Sequence, residues 1–456
     1  MRRSRNRALL AILAALVLLF GACSSRDDDS ASSGGDGGGG EDGAEVEGID
    51  TSECASDPTA EIEGDTIKIV SSYPQSGLTA AFAEIARGWT AYFEKVNAEG
   101  GVTIGDRTFQ LEYEDLDDEY NPQQTASNIE ELVGTDGEGA FAVFSVVGTA
   151  NNINIRDFLG DLCVPDLFAA TGSVAWGNPD YPWLTGSTLS PYSLESQAFV
   201  QYLEENQPGA KVGMLRQADE FGETYEESFR NAIEGTDIEL VEVQEYPVGS
   251  DEVSSQVTAL AGSGADAFFN GGTLLACPSA LTAQQQEGWD VPTWVSGTCI
   301  SKTLTGIAGA AADGVISMTN LKDPQNPKYD DDPDMVEFQE VVAEYASDFK
   351  GRELDPENAI IGYGYTQAEL FVMAMEEAEA PTRLAIMDSV RNMEDVSTGL
   401  MLDGVSVTNG PEDNFLGETV QLVQYDAAEV HFDEIGELID FEGQTAELTP
   451  EELING

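Results

Sequence analysis

Residues 164–176 read VPDLFAATGSVAW, and how this stretch is built decides the fold. An apolar run from Val164 to Ala170, broken once by Pro165 and Asp166, stops at Thr171, Gly172 and Ser173. That is the pattern of a buried strand delivering hydroxyls and pliable backbone at its C-terminal edge. Open α/β sheets bind small ligands at such an edge. A single instance is an ordinary strand-to-loop turn, so the weight falls on whether it recurs.

It does recur. Working upstream, residues 66–71 form a strand, SYPQSGLT a loop, and residues 78–98 a helix whose Leu78, Phe82, Ile85, Trp89, Tyr92, Phe93 and Val96 share one face. Gly100 and Gly101 end it. Strands follow at 109–113 and 141–147, helices at 123–132 and 153–159, and the loops between them are EDLDDEYNP and GTANN. Repeated strand, loop and helix units imply a parallel sheet with helices on both faces. Downstream, the proline-rich NPDYPWLTGSTLSPYS interrupts the alternation and places a crossover at 185–190. The pattern then restarts: strands at 212–216, 238–245, 265–269 and 293–295, with helices marked by Tyr225, Phe229 and Ile233, by 253–261 and by 279–287. Residues 335–349, 359–378 and 382–393 read as helices without strands of their own, which pack best by returning to the first lobe; residues 419–425 read as a strand.

At 456 residues the chain is too long for one compact core, and two lobes are expected. Its 84 Asp and Glu against 20 Lys and Arg give a net charge of −64, which excludes nucleic acid as a partner, since phosphate requires a basic face. Residues 1–22 have an arginine-rich start and an apolar run from Ala8 to Phe20, the plan of a signal peptide and too short to span a bilayer. Gly21 and Ala22 before Cys23 resemble a bacterial lipobox, with the departure that Phe20 stands where leucine is usual. The resemblance implies lipidation at Cys23, so that the membrane is reached through a lipid anchor only. Residues 23–64, rich in Ser, Gly, Asp and Glu, are expected to be a flexible linker.

The segments DTIKIVSSYPQSGLTAAFAEIARGWTAYFEKVNAEGGV, VVGTANNINIRDFL, CVPDLFAATGSVAWGNP, ADEFGETYEESFRNAI and SGADAFFNGG resemble, in order and spacing, the periplasmic binding proteins of the branched-chain amino acid (Leu/Ile/Val-binding) type that serve ABC transporters. The likeness covers residues 65–435. It implies a type I fold, an α/β protein of two doubly wound parallel-sheet lobes joined by a multi-strand hinge with a third crossover at 405–420. Residues 65–187 plus 318–415 would form lobe I, and 188–317 plus 416–456 lobe II. The implied function is capture of an amino acid, amide or small carboxylate and its delivery to ABC permease and ATPase subunits outside the cytoplasm. An extracytoplasmic sensor of the same fold stays open as an alternative.

Both readings turn the same six loops toward a cleft, each following a strand and opening a helix whose free N–H groups suit a polar ligand group. The candidate ligand-binding residues are Ser76, Gly77, Thr149, Ala150, Asn151, Ala170, Thr171 and Ser173 in the first lobe, and Phe221, Gly272 and Thr298 in the second. Phe221 matches a position where the family offers an aromatic ring. Thr298 stands where the amino acid binders carry a carboxylate for the ligand's ammonium group, with Asp219 or Glu220 as substitutes; a buried ammonium without a counter-charge is costly.

Beyond Cys23, Cys54 and Cys163 precede strands at one edge of the first sheet, whereas Cys277 and Cys299 follow neighbouring strands of the second. Two disulfides, 54–163 and 277–299, are expected, and no metal site, as CxxC spacing is lacking. The acidic runs 114–119 and 329–334 lack EF-hand spacing and read as solvated loops. Trp176 could line the cleft mouth or pack under the crossover, and the single histidine, His431, shows no partner. No GxSxG, HExxH or Walker motif is present, and GYGYTQ at 362–367 lacks the final glycine of a dinucleotide loop. No cofactor and no enzymatic activity are expected.

Overall fold

The computed structural model describes residues 46–455; the signal segment 1–22, Cys23 and the linker up to residue 45 lie outside the described residues. The first sheet is built from β1 (Thr66–Tyr73), the hairpin β2 (Val102–Ile104) and β3 (Arg107–Asp117), β4 (Ala142–Phe144), β5 (Asp166–Ala169) and β6 (Leu184–Gly186), with α1 (Ala83–Glu99), α2 (Pro122–Val133) and α3 (Thr149–Leu162) as its crossovers. Its order is β2-β3-β1-β4-β5-β6, parallel throughout except for β2. The second lobe runs α4 (Tyr192–Asn206), β7 (Lys211–Gln217), α5 (Glu220–Ala232), β8 (Glu239–Tyr246), α6 (Ser254–Gly262), β9 (Ala267–Gly271), α7 (Ala276–Glu287), β10 (Thr293–Val295) and β11 (Ile316–Thr319). After α8 (Pro333–Tyr345), α9 (Ala359–Glu377) and α10 (Arg383–Val390), the chain adds β12 (Thr419–Asp426), β13 (His431–Asp440) and the short α11 (Glu451–Ile454). The second sheet has the order β13-β12-β11-β10-β9-β7-β8, with β12 and β13 antiparallel. This is the doubly wound α/β architecture expected of the sequence.

Each lobe has its own apolar core. Trp89, Phe93, Phe144 and Phe371 meet under the first sheet, so α9 does return to lobe I. Phe199, Phe229, Phe269 and Trp294 fill the second. Leu274 and Leu304, which belong to lobe II by chain order, join the cluster of lobe I, so the two lobes are in contact. Three passages of chain run side by side between them: the Asn320 side-chain amide donates to the Thr188 carbonyl at 2.6 Å, and Gly417, just before β12, comes so near that a Cβ on it would lie 2.5 Å from the same carbonyl.

The structure departs from the sequence reading in several places. The strand β3 continues to Asp117, because it pairs with β1 over eight residues, and absorbs the first four residues of the acidic run. Asp118 is fully buried rather than solvated and accepts bonds from Ser72 and Thr125, each at 2.9 Å. In the second run, Asp332 caps α8 and pairs with Lys322 at 2.8 Å. The segment expected as linker is largely exposed from Val46 onward but tied to the first lobe at points, with Ile49 buried in the lobe I core and Ser56 held by Arg383. His431 does have a partner, Asp433 at 3.1 Å. Both disulfides are present, 54–163 with Cα atoms 5.4 Å apart and 277–299 with Cα atoms 6.4 Å apart.

Candidate functional site

The stretch 164–176 is irregular where it matters. The pairing of β5 with β6 shifts between Asp166 and Ala169, and Phe168 sits at φ 56°, a left-handed backbone that bulky residues seldom adopt. The bulge re-aims Ala170 and Thr171 toward the interlobe space. Gly172 then passes so close to the crossover that a Cβ would lie 2.4 Å from the Ser190 carbonyl. Only glycine fits there. Thr171 anchors the loop: its hydroxyl shares hydrogen bonds with Thr149 at 2.7 Å and with the Tyr192 hydroxyl at 3.2 Å, and its carbonyl accepts from Trp176 Nε1 at 3.1 Å. Trp176 is buried with Ala169, Ala175 and Leu184, so it packs beneath the loop and does not line the cleft.

Between the lobes lies a cavity of about 130 Å³ whose wall includes Phe82, Tyr120, Gly148, Ala170 and Thr171 from lobe I and Tyr192, Glu195, Phe221, Thr273 and Thr298 from lobe II. Of the residues singled out in the sequence, Ala170, Thr171, Phe221 and Thr298 line it. Thr149 stands one hydrogen bond behind Thr171. Ser173 is buried and caps the turn at Ala175, and Gly272 lies behind the lining residue Thr273. Ser76 and Gly77 are exposed, with the Ser76 hydroxyl donating to Asp117 at 2.6 Å. Ala150 and Asn151 border a separate, more open recess beside Asp219 and Glu220.

Asp219 and Glu220, the expected substitutes for the missing acid, are therefore not on the main cavity wall. Asp219 instead caps α5, accepting from the Gly222 N–H at 3.2 Å, and burial lifts its carboxyl to about 6. The acid on the wall beside Thr298 is Glu195, from the first turn of α4; Asp323 and Glu434 also line the cavity. Its two oxygens accept from the Tyr225 hydroxyl (2.8 Å), Trp294 Nε1 (3.1 Å) and the Gly297 N–H (3.2 and 3.0 Å). Burial outweighs these donors and raises it to about 7. The carboxylate thus reaches the loop of Thr298 from a different element. Sequence reasoning missed it because 192–206 was not assigned; the readable signal is a glutamate at i+3 from Tyr192 and four before Phe199, in a helix buried around most of its circumference. Phe221 meets Tyr192 and Tyr225 edge-on, each with ring centroids 5.2 Å apart, and the two tyrosine rings lie tilted against each other at 4.5 Å.

Two doubly wound lobes enclosing one cavity, with loops from both on its wall, define a two-lobe binding protein. The chain belongs to the Periplasmic binding protein family, matching it over residues 66–429. This is an extracytoplasmic family whose members bind small molecules and work with ABC transporters. A Leu/Ile/Val-binding protein homolog of Brucella melitensis is 25% identical over 277 residues, which are 59% of this chain and 72% of the relative. Among solved structures, a branched-chain amino acid ABC transporter protein of Thermus thermophilus with bound valine matches at TM-score 0.71 and 17% identity, over 83% of this chain and 97% of that one. A fatty acid ABC transporter substrate-binding protein of Thermomonospora curvata matches at TM-score 0.70 and 19% identity, over 86% and 96%. These establish likeness of fold. Among the described residues no helix is long and apolar enough to cross a membrane.

Proposed function

We propose that this chain is the solute-binding subunit of an ABC importer, capturing a small organic ligand between two closing lobes and delivering it to a membrane permease driven by an ATPase. The observation that carries the reading is the cavity itself: its wall is shared by both lobes, and three adjacent passages form the hinge. Opening the hinge splits the wall and exposes it; binding contributes contacts available only when the lobes meet, so the ligand shifts the population toward the closed form. The permease then reads closure. Relatives of the same fold named for valine and for fatty acids support a solute with both an apolar part and a polar group. The candidate residues for the polar group are Thr171, Tyr192 and Thr298, and Phe221 covers an apolar part.

A melting-temperature screen of the full chain against amino acids, amides and carboxylic acids tests this. A true ligand at a hundred times its dissociation constant adds about 2.7 kcal/mol to stability; if no solute shifts the transition, the reading fails. The lipobox resemblance adds that Cys23→Ala moves the protein from the membrane fraction to the supernatant of its host. Equal membrane retention of the variant would sink the anchor.

A further inference from the structure

We propose that Tyr120 of lobe I and Leu274 of lobe II form a reciprocal clasp that holds the lobes shut at the cleft mouth and retains the solute; this rests on the two-lobe closing reading above and deepens it. Each residue is carried by one lobe and reaches into the other. Leu274 comes after β9 in lobe II, yet it joins the apolar cluster of lobe I and is 4% exposed. Tyr120 follows β3 in lobe I, where its ring lies 6.3 Å from that of Phe82 and a Cβ on Gly148 would lie 2.8 Å from it. Its phenol, kept un-ionised by burial, faces Asp219, Tyr192, Tyr246 and Gln217, all of lobe II.

Backbone, leverage and position single out this pair. Tyr120 sits at φ 64° and Leu274 at φ 50°, left-handed conformations that bulky residues seldom adopt and that persist only where the surroundings impose them. At Tyr120 the imposing group is the buried Asp118, whose carboxyl accepts from the Tyr120 N–H at 2.9 Å as well as from Ser72 and Thr125. Around Leu274, the Thr273 N–H donates to the Tyr246 hydroxyl at 3.1 Å, the Leu274 carbonyl accepts from the Cys277 N–H at 3.2 Å, and Cys277 is bridged to Cys299. Both loops are far from the hinge. β3 stands four steps from β6, after which the chain leaves lobe I, and β9 two steps from β11, which leads into the hinge. At roughly 4.8 Å per step, the two loops lie about 19 and about 10 Å out along their sheets, so rotation of the lobes draws them apart. Among the described residues, Tyr120 is the one shared by the walls of the cavity and of the open recess beside Asp219 and Glu220. Thr273, next to Leu274, is the one shared by the cavity and a smaller recess beside Leu78. The clasp stands between the cavity and the solvent at the mouth, and release of a solute waits on both residues letting go.

Hydroxyl-radical footprinting of the full chain with no solute added tests the clasp through methionine oxidation. Met318 in β11 lines the cavity and is 3% exposed, whereas Met214 and Met375 are fully buried in the cores of lobes II and I. Tyr120→Gly and Leu274→Gly each delete one side chain and leave a residue that takes the left-handed backbone without strain. In the wild type Met318 should oxidise nearly as slowly as Met214 and Met375. In either variant it should oxidise several-fold faster while those two stay protected. Should one variant unfold, seen as reaction of Met214 and Met375 as well, the other decides. Met318 that stays protected in the glycine variants, or that reacts as fast in the wild type as in them, overturns the clasp and leaves the solute-binding reading standing. A blank melting screen together with the expected footprint does the reverse: the solute reading falls, and the clasp remains as a contact that holds the lobes shut.

Discussion

Asp166 is the residue least at ease in this protein. It begins β5, is buried to 1% exposure, and neither carboxyl oxygen has a hydrogen-bond partner among the described residues. Desolvation alone lifts its carboxyl to about 8. An acid whose folded value lies above its unfolded 3.8 favours folding most below that unfolded value, and the contribution fades as pH rises from 4 to 8. Asp166→Asn should therefore melt close to the wild type at pH 4 and increasingly above it toward pH 8, by on the order of 2 kcal/mol. Parallel melting curves at all pH values would refute the assignment. Glu195 shows the opposite design, a buried acid whose two oxygens accept from the Tyr225 hydroxyl, Trp294 Nε1 and the Gly297 N–H. Neither role is legible from residue type. The strand end and turn at 171–173 were legible, because a strand running into small polar residues has few structural alternatives, but only Thr171 of the three reaches the cavity wall and Ser173 caps the turn instead. The partner of Thr171, Tyr192, was not, because contact between residues 21 positions apart follows from a bulge that no local pattern announces.

At the scale of elements, the closest packing joins α1 to α9. A Cβ on Gly88 would lie 2.0 Å from the Ile361 carbonyl, and one on Gly364 would lie 1.9 Å from the Ile85 carbonyl. The helix backbones touch through two glycines. Gly364→Ala must push the helices apart and should lower stability by roughly 1–3 kcal/mol, seen as a lower urea midpoint at unchanged slope. An unshifted midpoint would mean that the helices do not cross here as described. Elements with a clear pattern were legible: α5, β7 and β10 lie within a few residues of their expected places, whereas α1 begins at Ala83 rather than Leu78 and leaves Leu78 exposed. The helix α4 was not, since Tyr192, Leu194, Phe199, Val200 and Leu203 are buried around most of its circumference and leave no single apolar stripe. The edge strand β13 escaped for the converse reason. Most of its side chains face solvent, so its sequence carries no alternation and its existence depends on the ladder with β12.

For the molecule as a whole, the governing quantity is the net charge of −64. Self-repulsion of that size works against the compact state, and mobile ions relieve it within a Debye length of about 10 Å at 0.1 M salt. Burial adds to the repulsion. Asp118 and Asp219 are raised to about 6, and Glu369 and Glu418 to about 7, each by desolvation first. All four bind protons more tightly folded than unfolded, so stability falls as pH climbs through these values. A second set opposes them: Asp332 and Glu434, bonded to Lys322 and Lys328, are held below their ordinary range and stabilise only while ionised, a contribution lost as pH falls below about 4. The two sets bracket a maximum between pH 4 and 6 rather than at neutrality. Melting temperature should thus rise as pH drops from 8 to 5 and decline again below 4. At pH 8 it should also rise with sodium chloride, beyond any effect of sucrose at matched osmolality. Calorimetric scans across that grid check both statements. A melting point that stays level or falls between pH 8 and 5 would show that the buried carboxyls are not the protein's main pH-dependent groups, and a salt response no larger than that of sucrose would show that the charge is already neutralised by ions held at the surface.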